Sequence, residues 1–233
     1  MADWSDKLLL GLDERELVDV PELACRVHRQ LLEPLEFLQA RAASTGFILK
    51  VASSYRSFDR QLLIWNNKAR GVRPVLNDAG ESIDINALSA RDKVFAILRW
   101  SALPGASRHH WGTDIDVYGA AHLDPDYQLQ LTVAETQGAG PFAEFHRWLS
   151  DELLLGNSNF FRPYAQDRGG IAPEPWHLSY APLATIFERQ FTQELLREQL
   201  EQTELELKTT VLDNLDEIYQ RFICADEQAT SRQ

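Results

Sequence analysis

Two short stretches of this chain carry residue types that could do chemistry together. In the first, His109 precedes Asp116, and in the second, Glu174 precedes His177. A catalytic zinc ion takes three imidazole or carboxylate ligands and keeps one position open for water, and His109, Asp116 and His177 would supply that set. Glu174 is then the candidate general base, because a carboxylate three residues before a ligand histidine can lie beside the attacking water without binding the metal.

A strand is needed to bring these groups together. Glycine at 112 predicts a turn, and residues 113–118 predict a short strand after it. Alternation places Asp114 and Asp116 on one face and the apolar residues between and after them on the core face. Two carboxylates on one face repel unless a cation lies near, which predicts a metal or an arginine there, such as Arg56 or Arg108.

Each stretch has a plainer interpretation when it is taken alone. The adjacent histidines His109 and His110 are of a kind found more often on surfaces or in cores than at metals, and Trp176 followed by His177 is hardly more specific. Both stretches, however, join a histidine to an acid at close spacing. Together they favour a metal site over two unrelated structural histidines.

The two stretches resemble the signature of the D-alanyl-D-alanine carboxypeptidase, or VanY, peptidases, in a group that includes the VanX dipeptidases and the Hedgehog signalling domain. That signature is Ser-x-His-x-x-Gly-x-Ala-x-Asp followed by Glu-x-Trp-His. The matching residues are Ser107, His109, Gly112, Asp116, Glu174, Trp176 and His177. Asp114 departs from the pattern, because it stands where the family usually has alanine. The resemblance implies one Zn²⁺ per chain on the three ligands, with an extra acid beside them that would alter metal affinity and pH optimum.

The resemblance extends to candidate substrate-binding residues. Arg56 and Gln61, with Ser107, resemble the family's clamp for the free C-terminal carboxylate of a peptide. A planar guanidinium can grip a carboxylate through two parallel hydrogen bonds. The alternative for Arg56 is an ordinary surface ion pair. Tyr164 resembles an aromatic position that lines the cleft in relatives, and a core tyrosine is the alternative.

Composition limits the partners. The chain has 233 residues, 44% hydrophobic content and a formal net charge of −12. Such a charge argues against nucleic acid and anionic membranes as partners and leaves small peptides or muropeptides compatible. No secretory segment is visible, and no run approaches the roughly 20 apolar residues that a bilayer requires, so a cytoplasmic location is expected.

Patterning and the resemblance together predict an α+β fold, with a small central antiparallel sheet flanked by helices and the zinc site on one face of the sheet. A helix is expected over residues 22–43, bent at Pro34, then a strand that delivers Arg56 to its end, and a hairpin or lid within 68–92. The catalytic domain is expected over residues 1–182. A helical extension is expected over residues 183–233, with one or two long helices over 187–222. It is expected to pack on the domain or, in a homo-oligomer, on a second subunit.

The leading hypothesis is a zinc-dependent carboxypeptidase acting on peptidoglycan-type peptides that end in a D-amino acid, with D-alanine as the first candidate. A D-Ala-D-Ala dipeptidase and a murein endopeptidase would use the same metal site. A zinc-stabilised module that binds peptides without cutting them is the alternative from another class, and it has no need of a base at Glu174. A scaffold acting through the helical extension is a third hypothesis.

Overall fold

The computed structural model describes residues 4–121, 123–124 and 126–224. Its helices are α1 (Asp6–Leu9), α2 (Leu32–Ser44), α3 (Phe58–Ala69), α4 (Ala90–Leu98), α5 (Val133–Thr136), α6 (Ala143–Leu154), α7 (Ala181–Gln190), α8 (Gln193–Glu201), α9 (Lys208–Asp213) and α10 (Leu215–Ile218). Its strands are β1 (Leu17–Val20), β2 (Cys25–His28), β3 (Leu49–Ser53), β4 (Val75–Leu76), β5 (Ser82–Ile83), β6 (Asp114–Gly119), β7 (Phe160–Phe161) and β8 (His177–Tyr180).

The central sheet has four antiparallel strands in the order β3-β6-β8-β7. Its register aligns Ser53 of β3 with Asp116 of β6, and Asp116 with His177 of β8. The end of β3, the middle of β6 and the beginning of β8 therefore lie side by side. This confirms the predicted α+β architecture around a small antiparallel sheet.

One face of the sheet is apolar. Ile115 and Val117 of β6 are fully buried in a core with Leu178 of β8 and with Phe145 and Leu149 of α6. Alternation along β6 then turns Asp114 and Asp116 to the opposite face. Helix α6 thus covers the sheet on the side away from the acids.

The predicted helix over residues 22–43 is wrong in its first part. Residues Cys25–His28 form β2, which pairs with β1 as a hairpin, and Val27 is completely buried. The β-branched and alternating pattern here competes with helical spacing, and pairing with Leu17–Val20 decides for the strand. Pro34 lies in the first turn of α2, where its missing N–H is not needed, so it causes no bend.

Residues 183–224 form several short helices, so the prediction of one or two long helices is also wrong. Residues 225–233 of the predicted extension lie outside the described residues. Thr192 ends the first segment and caps the next by accepting a hydrogen bond from the Leu195 N–H. Leu207, with φ of 63°, breaks the chain again before α9. These helices bury apolar side chains in a core shared with α1, α3 and α4 of the same chain. The division into two domains and the homo-oligomer remain predictions.

In the described ranges, every helix is too short or too polar to cross a bilayer.

Candidate metal centre and active site

Gly112 sets the direction in which β6 leaves the first motif. Its φ is +67°, in the left-handed region, and it ends the short 3₁₀ helix formed by Arg108–Trp111. A Cβ at this position would lie 2.6 Å from Leu17 Cδ2 and 2.8 Å from the His28 backbone nitrogen. The Gly112 carbonyl accepts a hydrogen bond from that same nitrogen, at 2.9 Å. Only glycine combines this conformation with this close approach.

The three predicted metal ligands converge. His109, Asp116 and His177 are all buried, and one ligand atom from each lies within 4.8 Å of the others. The distances from His109 Nε2 to Asp116 Oδ2 and from His177 Nδ1 to Asp116 Oδ1 are both 3.4 Å. Ligands bound tetrahedrally at about 2.1 Å would be about 3.4 Å apart.

One oxygen of this cluster has unmet hydrogen-bonding capacity. Within the described residues, the buried Asp116 Oδ1, which is 3.4 Å from His177 Nδ1, forms no hydrogen bond. Two imidazoles and a carboxylate suit zinc, which needs three protein ligands when it is catalytic. The residues present therefore fit one zinc ion, and the predicted cofactor is confirmed.

Asp114 lies behind the cluster, fully buried. Its Oδ1 is 3.0 Å from His177 Nε2 and accepts a hydrogen bond from Arg108 Nε at 2.8 Å. Its Oδ2 accepts from Thr113 Oγ1 at 2.7 Å and from Ser179 Oγ at 3.1 Å. Since a carboxylate has no proton to donate, Nε2 is the donor to Asp114. The Nδ1 of His177 is then the nitrogen that faces the metal position.

Arg108 connects Asp114 to the C-terminal helices. It donates to Ser179 Oγ at 2.7 Å and forms an ion pair with Glu188 of α7. The predicted repulsion between Asp114 and Asp116 is thus relieved at Asp114 by a buried arginine. Burial opposes ionisation of Asp114, but the charge of Arg108 and the hydrogen bond from His177 outweigh it and lower the pKa of this carboxyl.

His177 lies among carboxylates on both sides. Its Nδ1 is 3.1 Å from Glu174 Oε2. Burial disfavours the imidazolium, yet the hydrogen bonds to Asp114 and Glu174 and the charges of Asp116 and Asp114 raise the pKa of His177 to about 10. A metal cation at Nδ1 would replace this proton as the counter-charge.

Glu174 remains accessible beside the three ligands. Its side chain is 16% exposed, against 3% for that of His177. Two hydrogen bonds hold this segment against the chain after β7. The Glu174 N–H donates to the Tyr164 carbonyl at 2.9 Å, and the side-chain Nε of Arg162 donates to the Pro175 carbonyl at 2.7 Å. The Tyr164 ring meets the His177 ring edge-on, with centroids 4.9 Å apart. The structure thus brings Glu174 and Tyr164 to the metal ligands.

Arg56 follows β3 and lies against the short helix that carries His109. Its backbone N–H donates to the His109 carbonyl at 3.0 Å, and its carbonyl contacts His110 Nδ1 at 2.6 Å. The guanidinium donates to Gln61 Oε1 at 2.9 Å and to Ser53 Oγ at 3.1 Å. Burial lowers the pKa of Arg56, and the charges of Asp116 and Glu174 oppose that shift. The segment that carries His109 and His110 therefore fixes the position of Arg56.

The other two predicted clamp residues have different surroundings. Gln61 is fully buried, with its amide oxygen on Arg56 and its amide nitrogen donating to the Ala102 carbonyl at 2.7 Å. Both ends of the Gln61 amide thus contact protein, and this side chain supports Arg56. Ser107 is buried at the start of the 3₁₀ helix that carries His109. A direct contact of Gln61 or Ser107 with substrate stays a prediction.

Several contributing residues were not among the predicted site residues. His110 holds the loop of Arg56, accepts a hydrogen bond from the Gly105 N–H at 3.0 Å, and is fully engaged as a neutral imidazole. Ser179 and Glu188 complete the surroundings of Asp114 and Arg108. Ser179 lies two residues after His177 in β8, so alternation places both side chains on one face of the sheet, but no strand was predicted there. Glu188 carried no signal in the sequence.

Comparison with known proteins agrees with this arrangement. The sequence pattern of the family described as VanY, D-alanyl-D-alanine carboxypeptidase, matches residues 24–183. An uncharacterised protein of Haemophilus influenzae is 44% identical over 100 residues, which are 42% of this chain and 68% of that protein. A second uncharacterised protein of that organism is 31% identical over 123 residues, 52% of this chain and 92% of that protein.

A solved structure shares the fold. The LdcB LD-carboxypeptidase has a TM-score of 0.51 and 21% identity, with 86% of this chain and 79% of that chain covered. The family pattern spans more than half of the chain and includes the metal ligands, Glu174 and Arg56. The chain therefore belongs to the VanY family of D-alanyl-D-alanine carboxypeptidases, which are zinc-dependent peptidases.

Proposed function

We propose that this protein is a carboxypeptidase that removes the C-terminal residue from peptidoglycan-type peptides ending in a D-amino acid, with D-alanine as the first candidate. One observation carries the proposal. An arginine whose guanidinium has no carboxylate partner among the described residues lies beside a metal cluster and an accessible glutamate, and it interacts electrostatically with Asp116 and Glu174. A cation for a terminal carboxylate next to a hydrolytic centre is what an exopeptidase needs.

Each side chain has a distinct task in this proposal. Arg56, held by Gln61 and Ser53, binds the terminal carboxylate and so places the last peptide bond over the metal position. His109, Asp116 and His177 hold the zinc ion, which when bound polarises the peptide carbonyl and acidifies water. Glu174 accepts a proton from the attacking water and later delivers it to the departing amine.

Related activities remain alternatives, because a dipeptidase or an endopeptidase would use the same ligands and the same base. The solved LdcB protein is named an LD-carboxypeptidase, which supports an exopeptidase among proteins of this fold. The non-catalytic binding module is disfavoured, since it gives no reason for Glu174 to stay partly exposed and 3.1 Å from a ligand histidine.

The test is release of D-alanine from a soluble muramyl pentapeptide by zinc-loaded protein, with Glu174→Gln as the paired control. We expect release by the wild type and a loss of at least about 100-fold in the variant, as removal of a general base entails. Both proteins should bind zinc with 1:1 stoichiometry. Zinc binding by the wild type without release from this peptide, from D-Ala-D-Ala or from a longer peptide would move the binding module ahead of the enzyme.

A further inference from the structure

A cavity of about 570 Å³ opens beside Arg56, at the end of β3 and the start of α3. Its walls include Ser53, Arg56, Ser57, Arg60, Arg73 and Glu14. Arg56 belongs both to this cavity and to the metal site, because Asp116 and Glu174 interact electrostatically with it. A substrate bound at the metal and at Arg56 therefore has its end in this cavity.

Three arginines meet in this cavity with no ion pair to any described carboxylate, namely Arg56, Arg60 and Arg73. This contrasts with arginines elsewhere in the described chain, many of which pair with an acid. The paired ones are Arg15, Arg26, Arg29, Arg41, Arg70, Arg91, Arg99, Arg108, Arg197 and Arg221. In a protein with a net charge of −12, acidic partners for Arg56, Arg60 and Arg73 were abundant in the sequence.

Glu14, the acid in the cavity wall, does not neutralise the three arginines. Glu14 pairs with Arg26 at 2.5 Å and accepts a hydrogen bond from the Tyr55 hydroxyl at 3.3 Å. Its charge is thereby already balanced by an arginine that does not line the cavity.

The cations are close enough to act on one another. Burial lowers the pKa of Arg56, and the charges of Arg60 and Arg73 lower it further. Lys68, whose ammonium donates to Ser101 Oγ at 2.8 Å, has its pKa lowered to about 8 by burial and then by Arg73 and Arg56. Like charges held together repel one another, and an anion that binds among them relieves this repulsion.

The terminal carboxylate of a substrate would pair with Arg56 and would leave Arg60 and Arg73 without an anionic partner. In the proposed carboxypeptidase, the only part of the substrate beyond the scissile bond is the departing residue. Whatever reaches Arg60 and Arg73 from a carboxylate held at Arg56 must therefore be the side chain of that residue. Alanine has a methyl group there, which cannot balance charge or reach across the cavity.

We propose that this cavity selects peptides whose departing residue carries a second carboxylate in its side chain, as glutamate or aspartate does, with Arg60 and Arg73 as its binding residues. This specificity rests on the proposed carboxypeptidase function. Under this specificity, a peptide ending in D-alanine would still be cleaved, but its methyl side chain would not reach Arg60 and Arg73.

The experiment compares three acetylated peptides that differ only in the last residue, which is D-glutamate, D-glutamine or D-alanine. D-glutamine has the shape of D-glutamate without its charge, so their ratio isolates the carboxylate. For the zinc-loaded wild type we expect kcat/KM for D-glutamate to exceed that for D-glutamine at least about tenfold, since hydrogen bonds to ionised groups are the strong ones. The ratio should shrink as sodium chloride is added.

Variants then assign the effect. Arg60→Gln and Arg73→Gln should each lower the ratio of D-glutamate to D-glutamine severalfold. Arg73→Lys, which keeps the charge but not the planar guanidinium, should retain more of the ratio than Arg73→Gln. Arg189→Gln is the matched control, because Arg189 is exposed on α7 and lines neither this cavity nor the metal site. It should leave the ratio and the rates unchanged.

Each outcome decides something. A wild-type ratio near one overturns the inference, and so does a high ratio that survives both glutamine variants. Hydrolysis of none of the three peptides overturns the proposed function instead. In that case calorimetry with zinc-loaded Glu174→Gln protein still tests the cavity, since binding of the D-glutamate peptide no tighter than the D-glutamine peptide would rule the second carboxylate out.

Discussion

Asp114 turns a position where relatives usually have a methyl group into the centre of a buried polar network. Its two oxygens contact Arg108, His177, Thr113 and Ser179 and leave none of its main hydrogen-bonding directions empty. An unpaired acid in such a place would be strongly destabilising, whereas a fully satisfied one fixes its neighbours. The neighbour that matters for chemistry is His177, whose Nδ1 must face the metal.

We predict that Asp114→Ala weakens zinc binding by about 10- to 100-fold, because the imidazole of His177 loses the partner that fixes its orientation. The measurement is a zinc titration against a competing chelator. Glu188→Gln is the comparison, since it removes a partner of Arg108 without touching His177. Equal zinc affinity in the wild type and Asp114→Ala would exclude this orienting role.

His146 offers a prediction about pH. It is 4% exposed, and neither ring nitrogen has a hydrogen-bond partner among the described residues. Burial, with a smaller effect of the Arg162 charge, lowers the pKa of His146 to about 3. Between an unfolded-state pKa of about 6.5 and this value, the unfolded chain binds the proton and the folded chain does not, so this residue makes the free energy of unfolding fall as the pH falls.

His146→Leu should remove that dependence. Between pH 6.5 and pH 4.5 the wild type should lose up to about 1.4 kcal/mol per pH unit more than the variant, the limit for one proton. Urea unfolding at several pH values in that range measures both proteins. A stability difference between them that stays constant with pH would mean that His146 does not titrate in this way.

At this scale the sequence was most informative where chemistry requires fixed spacing. His109, Asp116, His177 and Glu174 belong to short local patterns, and the structure brings them together. Glu188 could not be predicted as a partner of Arg108, because the contact joins residues 80 apart in the chain through the packing of α7. Side-chain contacts between distant residues follow from tertiary structure and produce no periodic pattern in the sequence.

Among the elements, the turn into β6 is the most constrained. We predict that Gly112→Ala destabilises the protein by about 2 kcal/mol or more, since the left-handed backbone alone costs about 1–2 kcal/mol and the new methyl group would overlap Leu17 and the His28 nitrogen. Gly156→Ala is the matched control, because Gly156 also has a positive φ, of 71°, but nothing lies within 4 Å of its Cβ position.

Chemical denaturation of both glycine variants measures the difference. Similar losses of stability in Gly112→Ala and Gly156→Ala would show that position 112 requires glycine for its backbone conformation and not for the close contact with β1 and β2. The contact predicts a clearly larger loss at Gly112, together with weaker zinc binding, because β6 carries Asp116.

The errors in predicting elements have a common cause. Periodicity identified β3 and β6, whose apolar residues Leu49, Ile115 and Val117 pack in one core cluster. It failed at β2, where four residues fit a strand as well as a helix, and only pairing with β1 distinguishes them. It failed again after α7, because breaks such as Leu207 follow from how the helices pack around Trp65 and are not marked by glycine or proline.

In the whole molecule, the segments at either end of the described chain share one core. Leu8, Leu9 and Leu10 pack in the same cluster as Phe187, Leu196 and Leu200. Trp65 of α3, fully buried, donates to the Glu206 carbonyl at 3.0 Å. Leu196 also lies against the loop of Gly105, which leads into the first metal motif.

We therefore predict that Leu196→Ala lowers the free energy of unfolding of the entire protein by about 2–5 kcal/mol, the usual range for a buried leucine. Tryptophan fluorescence and circular dichroism should report a single coincident transition in urea. Leu154→Ala, at a position that is 86% exposed, is the control and should change little. An early separate transition confined to the C-terminal helices would instead favour an independent extension.

The shared core also sets an order of events during translation. Leu8, Leu9 and Leu10 are synthesised well before their apolar partners in α7 and α8, which follow the second metal motif in the chain. Until α7 and α8 have been synthesised, the nascent chain therefore exposes these apolar side chains, and a chaperone would have to shield them. A truncated chain that ends after His177 would contain every metal ligand. It would aggregate, because it would lack the helices that cover Leu8, Leu9 and Leu10.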